Sequence, residues 1–221
     1  MRYDWNSVDR LLKDEYHDFN HYNKSDPFDE LLFIICSVKT AEKSYKSLFK
    51  SVRAKFNNNE SFLTASISEI SEPLKNGGLS LQKANYIKGI CNSISNKFGA
   101  VSLSGLKVMD DTKVERFLMS LPGVGKKVAR CVMMYSLDRK VFPVDTHCWR
   151  ICRRLGVVRR TRPDGSCSPK DMDRLQQKIP SNLRYPLHIN LVSHGRKICK
   201  ATNPLCNNCK IIDFCRQINV K

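Results

Sequence analysis

The chain has 221 residues, of which 41% are hydrophobic and 27% charged, so it is long and apolar enough to bury a core without disulfides. Lysine and arginine number 38 against 21 acidic residues, a formal charge of +17. This excess favours a polyanionic partner such as nucleic acid, although a membrane surface or an acidic protein would also attract it. The sequence has no run of about 18 apolar residues and no signal-peptide core. We therefore expect a reducing compartment: the cytoplasm and nucleoid of a prokaryote, or the nucleus or an organelle of a eukaryote.

Helices are predicted along the first half of the chain. Asp26-Pro27-Phe28 joins a capping residue to a proline at the first helical turn, so the apolar run 31–36 belongs to a helix. Apolar residues three and four apart predict a helix over 63–74, ended near 76–78, and another over 82–98. No alternating strand partners surround these segments.

The second half of the chain has the same pattern. Apolar stripes at helical spacing predict further helices over 114–121, 128–137, 149–155, 171–179 and 185–197. The least ordered segments are expected at 57–59 and 159–169, and no internal repeat is present. The sequence therefore predicts an all-α fold.

The segment 121–127 reads Leu-Pro-Gly-Val-Gly-Lys-Lys between two predicted helices. Its glycines permit a tight turn, in which the main-chain amides of Gly123, Val124 and Gly125 can converge on a phosphate. An ordinary helix–helix turn would use the same glycines. The two lysines that follow and the overall charge favour DNA.

A second motif, Val-Asp-Thr-His, occupies 144–147, and its Asp145 lies 18 residues after Lys127. One interpretation of Asp145 is a helix cap, since an aspartate accepts hydrogen bonds from the first amides of a helix. The other is a catalytic carboxylate, and these residues alone leave both open. His147 is interpreted as a hydrogen-bonded structural residue rather than a catalyst.

Basic residues crowd the helix that follows. The segment 150–162 contains six arginines. Such a run can be a solvated basic face, but contact with a DNA strand is the preferred interpretation.

Four of the ten cysteines lie in the last 23 residues, at Cys199, Cys206, Cys209 and Cys215. Disulfides are not expected in a reducing compartment, so four crowded thiols indicate metal. Tetrahedral zinc is the general alternative, but zinc sites usually have two closely spaced pairs, and here there is only one. The compact spacing favours a [4Fe–4S] cluster. The other six cysteines are expected to be small buried hydrophobes.

In this order and spacing, the three motifs resemble the endonuclease III family of DNA glycosylases. The similarity extends from about 27 to 215, with shorter matches at Gly78-Leu79, Lys83-Ala84, Leu187-His188, His194-Gly195-Arg196 and Pro204. The resemblance implies an all-α, two-lobed helix-hairpin-helix glycosylase fold with DNA and the active site between the lobes. One lobe is a six-helix barrel over 24–138, and the other is an iron–sulfur cluster domain formed by 1–23 and 139–221.

The resemblance also assigns roles to residues. Lys127 matches the nucleophile of the family and Asp145 its catalytic carboxylate, and the four cysteines match the ligands of its [4Fe–4S] cluster. Lys39, where the family has a glutamine, and Leu79 match residues that fill the gap left by a flipped base. A monomer bound to double-stranded DNA is expected, without a membrane partner. Further DNA contacts are expected from Gly123, Val124, Gly125, Lys126, His147, Arg150, Arg196, Lys197 and Lys200.

The function implied is that of a bifunctional glycosylase and AP lyase. Such an enzyme would excise a damaged or modified base, foremost an oxidised pyrimidine, and nick the strand by β-elimination. Two alternatives stay open: a glycosylase of this fold for another mismatched or enzymatically modified base, and a non-catalytic module that binds DNA structure. Lys127 and Asp145 argue against a pure binder, which needs neither. Lys39, and Lys210 where the family usually has proline, depart from the family pattern and leave the target base open.

Overall fold

The computed structural model describes residues 3–19, 21–159, 162, 164–218 and 220. Over these ranges the chain forms α-helices joined by turns and short 3₁₀ segments, without a strand, so the predicted all-α fold is confirmed. Two compact units are present. We call Asn23–Arg139 the hairpin unit, and Met1–Tyr22 together with Lys140–Lys221 the cysteine unit. Within the described ranges, each helix is too short or too polar to span a bilayer.

The helices are numbered in chain order. The hairpin unit contains α2 to α8, and the cysteine unit contains α1 and α9 to α11. Their bounds are α1 (Trp5–Tyr16), α2 (Pro27–Ser37), α3 (Glu42–Lys55), α4 (Ser61–Thr64), α5 (Ile67–Ser71), α6 (Ser80–Phe98), α7 (Asp111–Ser120), α8 (Lys126–Ser136), α9 (Thr146–Arg154), α10 (Pro169–Lys178) and α11 (Arg184–Lys197).

Helix α2 is the centre of the hairpin unit. Asp26 caps it by accepting hydrogen bonds from the amides of Phe28 (3.0 Å) and Asp29 (2.9 Å). From Phe28 to Cys36, each side chain except that of Asp29 is buried, and the helix packs against α3, α6 and α8. A helix that is apolar around its circumference is stable only when other elements enclose it. The rest of the unit is arranged to do so.

The single helix predicted over 63–74 is wrong. The structure has α4, α5 and the 3₁₀ segment Glu72–Gly77 in that region. Ser66 and Glu69 form a capping box that starts α5: each side chain bonds the amide of the other residue, at 3.2 and 2.7 Å. Pro73 then lacks the N–H that would continue α-helical bonding.

The other predicted helices are present and begin and end close to the predicted positions. The sequence pattern did not identify α3, although Tyr45, Leu48 and Val52 lie buried along it. Of the six cysteines outside the C-terminal group, five are buried and Cys167 is half-buried.

The cysteine unit is centred on α11, against which α1 and α9 pack. At one end of α1, the Trp5 indole donates to the carbonyl of Lys178 (2.7 Å). At the other end, the Tyr16 hydroxyl lies 3.0 Å from Nδ1 of His194 on α11. The chain after α11 continues as a loop with two short 3₁₀ segments, and this loop contains the four crowded cysteines.

Candidate functional site

The hairpin between α7 and α8 has the tight turn that its glycines predict. Gly123 lies in the left-handed region (φ 74°), and a Cβ atom there would approach the ring of Tyr86 to 2.5 Å. Leu121 and Val124 are 3% and 5% exposed and anchor the turn. Gly125 is extended (φ −89°), and apart from its chain neighbours no atom of the described residues lies within 4 Å of where its Cβ would be. The first amides of α8 are therefore approachable, as a phosphate-binding turn requires.

Two lysines begin α8 and point in different directions. The Lys126 side chain is 12% exposed, and its ammonium lies 3.8 Å from the carboxylate of Glu115. The other oxygen of Glu115 accepts from the Arg130 guanidinium (2.6 Å). Lys127 is half-buried on another face of α8, since neighbours on a helix point about 100° apart. Burial raises the pKa of the Glu30 carboxyl, and Lys127 is near enough for its charge to oppose that shift.

Asp145 is the N-cap of α9, so the capping interpretation is confirmed as local structure. Its carboxylate accepts a hydrogen bond from the amide of Cys148 (2.7 Å), and the residue is half-buried. The helix dipole favours a negative charge at this position. The cap therefore fixes the orientation of the carboxylate, and a catalytic role requires such fixing as well.

His147 is packed as a structural residue. Burial lowers the pKa of its imidazole. Its Nδ1 lies 3.0 Å from the Arg150 guanidinium. The sequence interpretation of a hydrogen-bonded rather than catalytic histidine agrees with this environment, and its contact with DNA stays a prediction.

Lys39 and Leu79 lie on neighbouring loops of the hairpin unit. Both have left-handed backbones, with φ of 48° and 52°. A side chain in this region costs about 1–2 kcal/mol per residue. The side chains are exposed, Leu79 to 44%. The Lys39 carbonyl lies 3.9 Å from where a Cβ atom of Gly78 would be, so the two loops are close together.

Two arginines of α9 hold the cysteine loop, which we define as 199–215. Arg150 donates to the Cys199 carbonyl through two nitrogens (3.0 and 2.8 Å). Arg154, which is 7% exposed, donates to Cys199 Sγ (3.2 Å) and to the carbonyl of Lys200 (2.6 Å). Both arginines belong to the run 150–162, for which DNA contact was predicted; Arg154 is instead buried and bonds the protein itself. The spacing of four residues, which places both on one face of α9, was the available signal.

Most of the remaining basic residues that the structure describes among the predicted DNA contacts are exposed, and Arg153 is half-buried. Arg160, part of the run 150–162, lies outside the described residues. The side chain of Val124 is buried, so a contact between Val124 and DNA would use its main chain. Exposed basic residues are Arg159, Arg162, Arg196, Lys197 and Lys200.

All four cysteines of the cysteine loop are half-buried. Three of their sulfurs have nitrogen neighbours: Arg154 at Cys199, His194 Nε2 at Cys209 (3.5 Å), and a main-chain amide at Cys215 (3.4 Å). Burial raises the pKa of Cys209 to about 11, and the other three cysteines raise it as well because their thiolates would repel its own. In the described ranges, no three His, Cys, Asp or Glu side chains surround one point as the ligands of a single metal ion do.

An all-α fold with a Pro-Gly-Val-Gly hairpin directly before a lysine defines the class of helix-hairpin-helix DNA repair proteins. Residues 34–179 match the profile of the HhH-GPD superfamily of base excision DNA repair proteins, and the chain belongs to this superfamily. The predicted resemblance to the endonuclease III family is confirmed.

Two relatives illustrate the similarity. The chain is 32% identical over 191 residues to a putative DNA glycosylase of Arabidopsis thaliana, an alignment that covers 86% of this chain and 61% of the relative. It is 28% identical over 195 residues to endonuclease III of Thermotoga maritima, with 88% of this chain and 85% of the relative covered. The chain thus spans about three fifths of the length of the plant relative and most of the bacterial one.

A solved structure supports the fold. A non-covalent endonuclease III–DNA complex superposes with a TM-score of 0.79 over 96% of this chain and 94% of that protein, at 22% identity. At this identity, the superposition establishes the helix-hairpin-helix glycosylase fold alone.

The pairing of Glu115 with two cations predicts a cost for removing its charge. Glu115→Gln should lower the free energy of unfolding by about 2 kcal/mol, because Arg130, which is 2% exposed, loses its charged partner. Urea denaturation measures this. The control is Glu72→Gln, whose carboxylate pairs with Lys55 at the surface and contributes little. Equal and small losses for both variants would contradict the prediction.

Proposed function

We propose that the protein is a bifunctional DNA glycosylase and AP lyase that removes a damaged base from double-stranded DNA and nicks the strand. The observation that carries the proposal is the open main chain at Gly125, directly before the helix α8 that carries Lys126 and Lys127 in its first turn on different faces. Because neighbours on a helix point about 100° apart, a nucleotide held at the amides would face only one of the two lysines, and Lys127 is the proposed one. The superfamily and the relatives support base excision as the setting.

The proposed reaction begins with removal of the nucleotide from the base stack, because a base inside a duplex cannot be attacked at its sugar. As the glycosidic bond weakens, C1′ gains positive charge, which the Asp145 carboxylate would stabilise. The neutral amine of Lys127 forms a bond to C1′ and the base leaves with the electrons of the glycosidic bond and takes up a proton. Asp145 is the proposed acceptor of the amine proton.

The covalent intermediate accounts for the lyase activity. Opening of the sugar ring converts the Lys127–C1′ adduct into a protonated Schiff base. Its positive charge acidifies the proton at C2′, and loss of that proton expels the 3′ phosphate, which cleaves the strand. Hydrolysis of the Schiff base then releases Lys127.

The remaining roles follow from the surfaces described. The amides of 123–125 and the exposed cations are proposed to contact phosphates, which positions the duplex without reading its sequence. Lys39 and Leu79 are proposed to occupy the gap left by the flipped nucleotide. An oxidised pyrimidine is the proposed target. We further propose that the two units are the barrel and cluster domains of the family and that the protein acts as a monomer where DNA resides, in the nucleoid or the nucleus.

The cysteine loop is proposed to hold a [4Fe–4S] cluster on Cys199, Cys206, Cys209 and Cys215. Their environment fits such a group: the four are half-buried in one loop, and nitrogen neighbours lie beside three sulfurs, as in cluster sites where N–H groups surround the thiolates. When bound, the cluster would supply folding energy to a loop that is otherwise irregular.

Borohydride trapping tests the nucleophile. The wild-type protein should be trapped covalently on DNA with an abasic site, and Lys127→Gln should abolish trapping and strand cleavage. DNA affinity should stay within about a few-fold, since one charge among many phosphate contacts costs little. Lys126→Gln should retain trapping. Loss of trapping in Lys126→Gln alone would assign the nucleophile to Lys126, and trapping in both variants would end the lyase proposal.

Base release tests the carboxylate separately. Asp145→Asn retains a side-chain oxygen for the cap but removes the charge, so it should slow base excision roughly 100- to 10,000-fold. The amount of soluble, folded protein and the DNA affinity should be retained. Single-turnover excision of a damaged base, followed before strand cleavage, gives the rate. An unchanged rate would restrict Asp145 to its capping role.

Absorbance and metal content test the cluster. The purified protein should be brown, with broad absorbance from the near-ultraviolet into the blue and about four irons per chain, as a thiolate-bound cluster has. Cys206→Ser should lose both and reduce the soluble yield. Cys167→Ser, a half-buried cysteine outside the loop, is the matched control and should keep the colour. One zinc and no iron in the wild type would identify a zinc site instead.

A further inference from the structure

Lys83 is a buried cation that the proposed reaction does not use. It lies on α6 and is 2% exposed, in a chain whose other lysines are mostly at the surface. A buried ammonium is costly unless hydrogen bonds replace the water it loses. Burial accordingly lowers the pKa of Lys83. Its hydrogen bonds must therefore offset the cost of burying the charge.

Three oxygens surround the ammonium. It donates to the carbonyl of Cys36 (3.1 Å), to the hydroxyl of Thr40 (2.6 Å) and to the carbonyl of Gly77 (2.9 Å). The Thr40 hydroxyl also lies 2.6 Å from the Gly77 carbonyl, as donor. All three N–H groups of the lysine are therefore matched with acceptors.

These acceptors belong to the two loops that carry Lys39 and Leu79. Cys36 is in the last turn of α2 and Thr40 directly follows Lys39, whereas Gly77 lies two residues before Leu79. The main-chain amide of Lys83 also donates to the Leu79 carbonyl (2.9 Å). One residue therefore bonds both loops.

The backbones of these loops need such support. Lys39 and Leu79 are both in the left-handed region, which side chains other than glycine rarely adopt. Residues in such conformations persist only where their surroundings impose them. The ammonium, with its fixed set of acceptors, imposes the conformation on both loops together.

We propose that Lys83 is a positioning residue that locks the Lys39 and Leu79 loops into one preformed wedge for insertion into the duplex. The proposal rests on the proposed glycosylase function, because the wedge acts only if a nucleotide is flipped. Preformation lowers the cost of opening a paired site, since the ordering of the loops precedes DNA binding. An abasic site lacks a paired base and depends less on the wedge.

Helix α6 offers a matched control. Lys88 is also on α6 and also donates to two main-chain carbonyls, of Leu63 (2.6 Å) and Ala65 (2.8 Å). Those acceptors lie at the junction of α4 and α5, in neither wedge loop. Lys83→Met and Lys88→Met remove the same charge from the same helix, so they separate a wedge effect from a loss of stability.

The first experiment compares two substrates. Duplexes with thymine glycol opposite adenine and with a pre-formed abasic site are cleaved under single-turnover conditions. Lys83→Met should slow cleavage of the paired lesion by about tenfold or more while the abasic site stays within about threefold, because misplacement affects only the step that needs the wedge. Lys88→Met should leave the ratio of the two rates at the wild-type value. Equal slowing on both substrates by Lys83→Met, or the same ratio change in Lys88→Met, would overturn the proposal.

The second experiment does not depend on activity. Amide hydrogen exchange is measured in 37–41 and 77–80, in the free protein and on a duplex with a tetrahydrofuran abasic analogue. Lys83→Met should accelerate exchange in both loops, and Lys88→Met in neither. Acceleration in one loop alone would overturn the coupling. If the wild type cleaves neither substrate but both loops loosen together, the glycosylase proposal fails while the lock stands.

Thr40 supplies a gentler variant in case Lys83→Met does not fold. Thr40→Val removes one acceptor of the ammonium without changing the size of the side chain, and Thr40→Ser restores the hydroxyl. The ratio of paired-lesion to abasic-site cleavage should fall for Thr40→Val and recover for Thr40→Ser. A ratio unaffected by Thr40→Val would show that the wedge does not depend on this network.

Discussion

The burial of nearly the whole of α2 is the constraint on which the hairpin unit depends. An apolar helix of this kind must be surrounded, and its polar ends must be satisfied by neighbouring elements. Near its start, buried Glu30 accepts hydrogen bonds from Asn23 (2.6 Å) and from the Lys24 amide (2.7 Å). The charge of Lys127 acts to lower the pKa of this carboxyl. At its end, the Cys36 carbonyl is bound by Lys83. The proposed nucleophile is thus close to the start of α2, and the residue that bonds the proposed wedge loops is bound to its end.

The cysteine unit is stabilised in a different way, because its last segment has little regular structure of its own. Helix α9 does two tasks within this unit. Its first turn orients Asp145 through a cap, and its last two turns direct Arg150 and Arg154 at the start of the cysteine loop. Guanidinium groups suit this task because several fixed N–H groups can hold several carbonyls at once. The proposed cluster would add its own ligand bonds to a loop that these arginines already hold by hydrogen bonds.

The elements that could be predicted from the sequence are those where local signals and burial agree. Asp26 and Pro27 mark the start of α2, and the glycines mark the hairpin, because these residues act on the backbone within a few residues of their own position. The break between α5 and the 3₁₀ segment Glu72–Gly77 was missed because Ile70 and Leu74 are both fully buried and four residues apart, although they belong to different segments. In α3, Tyr45, Leu48 and Val52 are spaced three and four residues apart, so the signal for this helix was present in the sequence. The periodicity of apolar residues predicts which side chains are buried, but it does not predict where the main-chain hydrogen bonding of a helix ends.

The site was predictable to a similar degree. The match to the family motif identified Lys127, Asp145 and the cysteines as candidates, but the ion pair of Lys126 could not be predicted from the sequence, because it depends on Glu115 from another helix. The same holds for Arg154 and Lys83, whose partners are main-chain carbonyls that any sequence supplies. A cation that binds the protein's own backbone cannot be distinguished by sequence from one that binds DNA.

Different constraints act on the two glycines of the hairpin. This difference affects which of the two positions can change while the fold is kept. At position 123, both the left-handed backbone and the ring of Tyr86 exclude a side chain, so even a descendant that no longer bound DNA would need glycine there. At position 125, the backbone suits any residue and the described part of the protein leaves room for one. In the proposed function, a phosphate bound at the amides would be the reason for glycine at that position. A related chain with another residue at 125 and glycine at 123 would therefore be expected to keep the fold but no longer to bind the ligand.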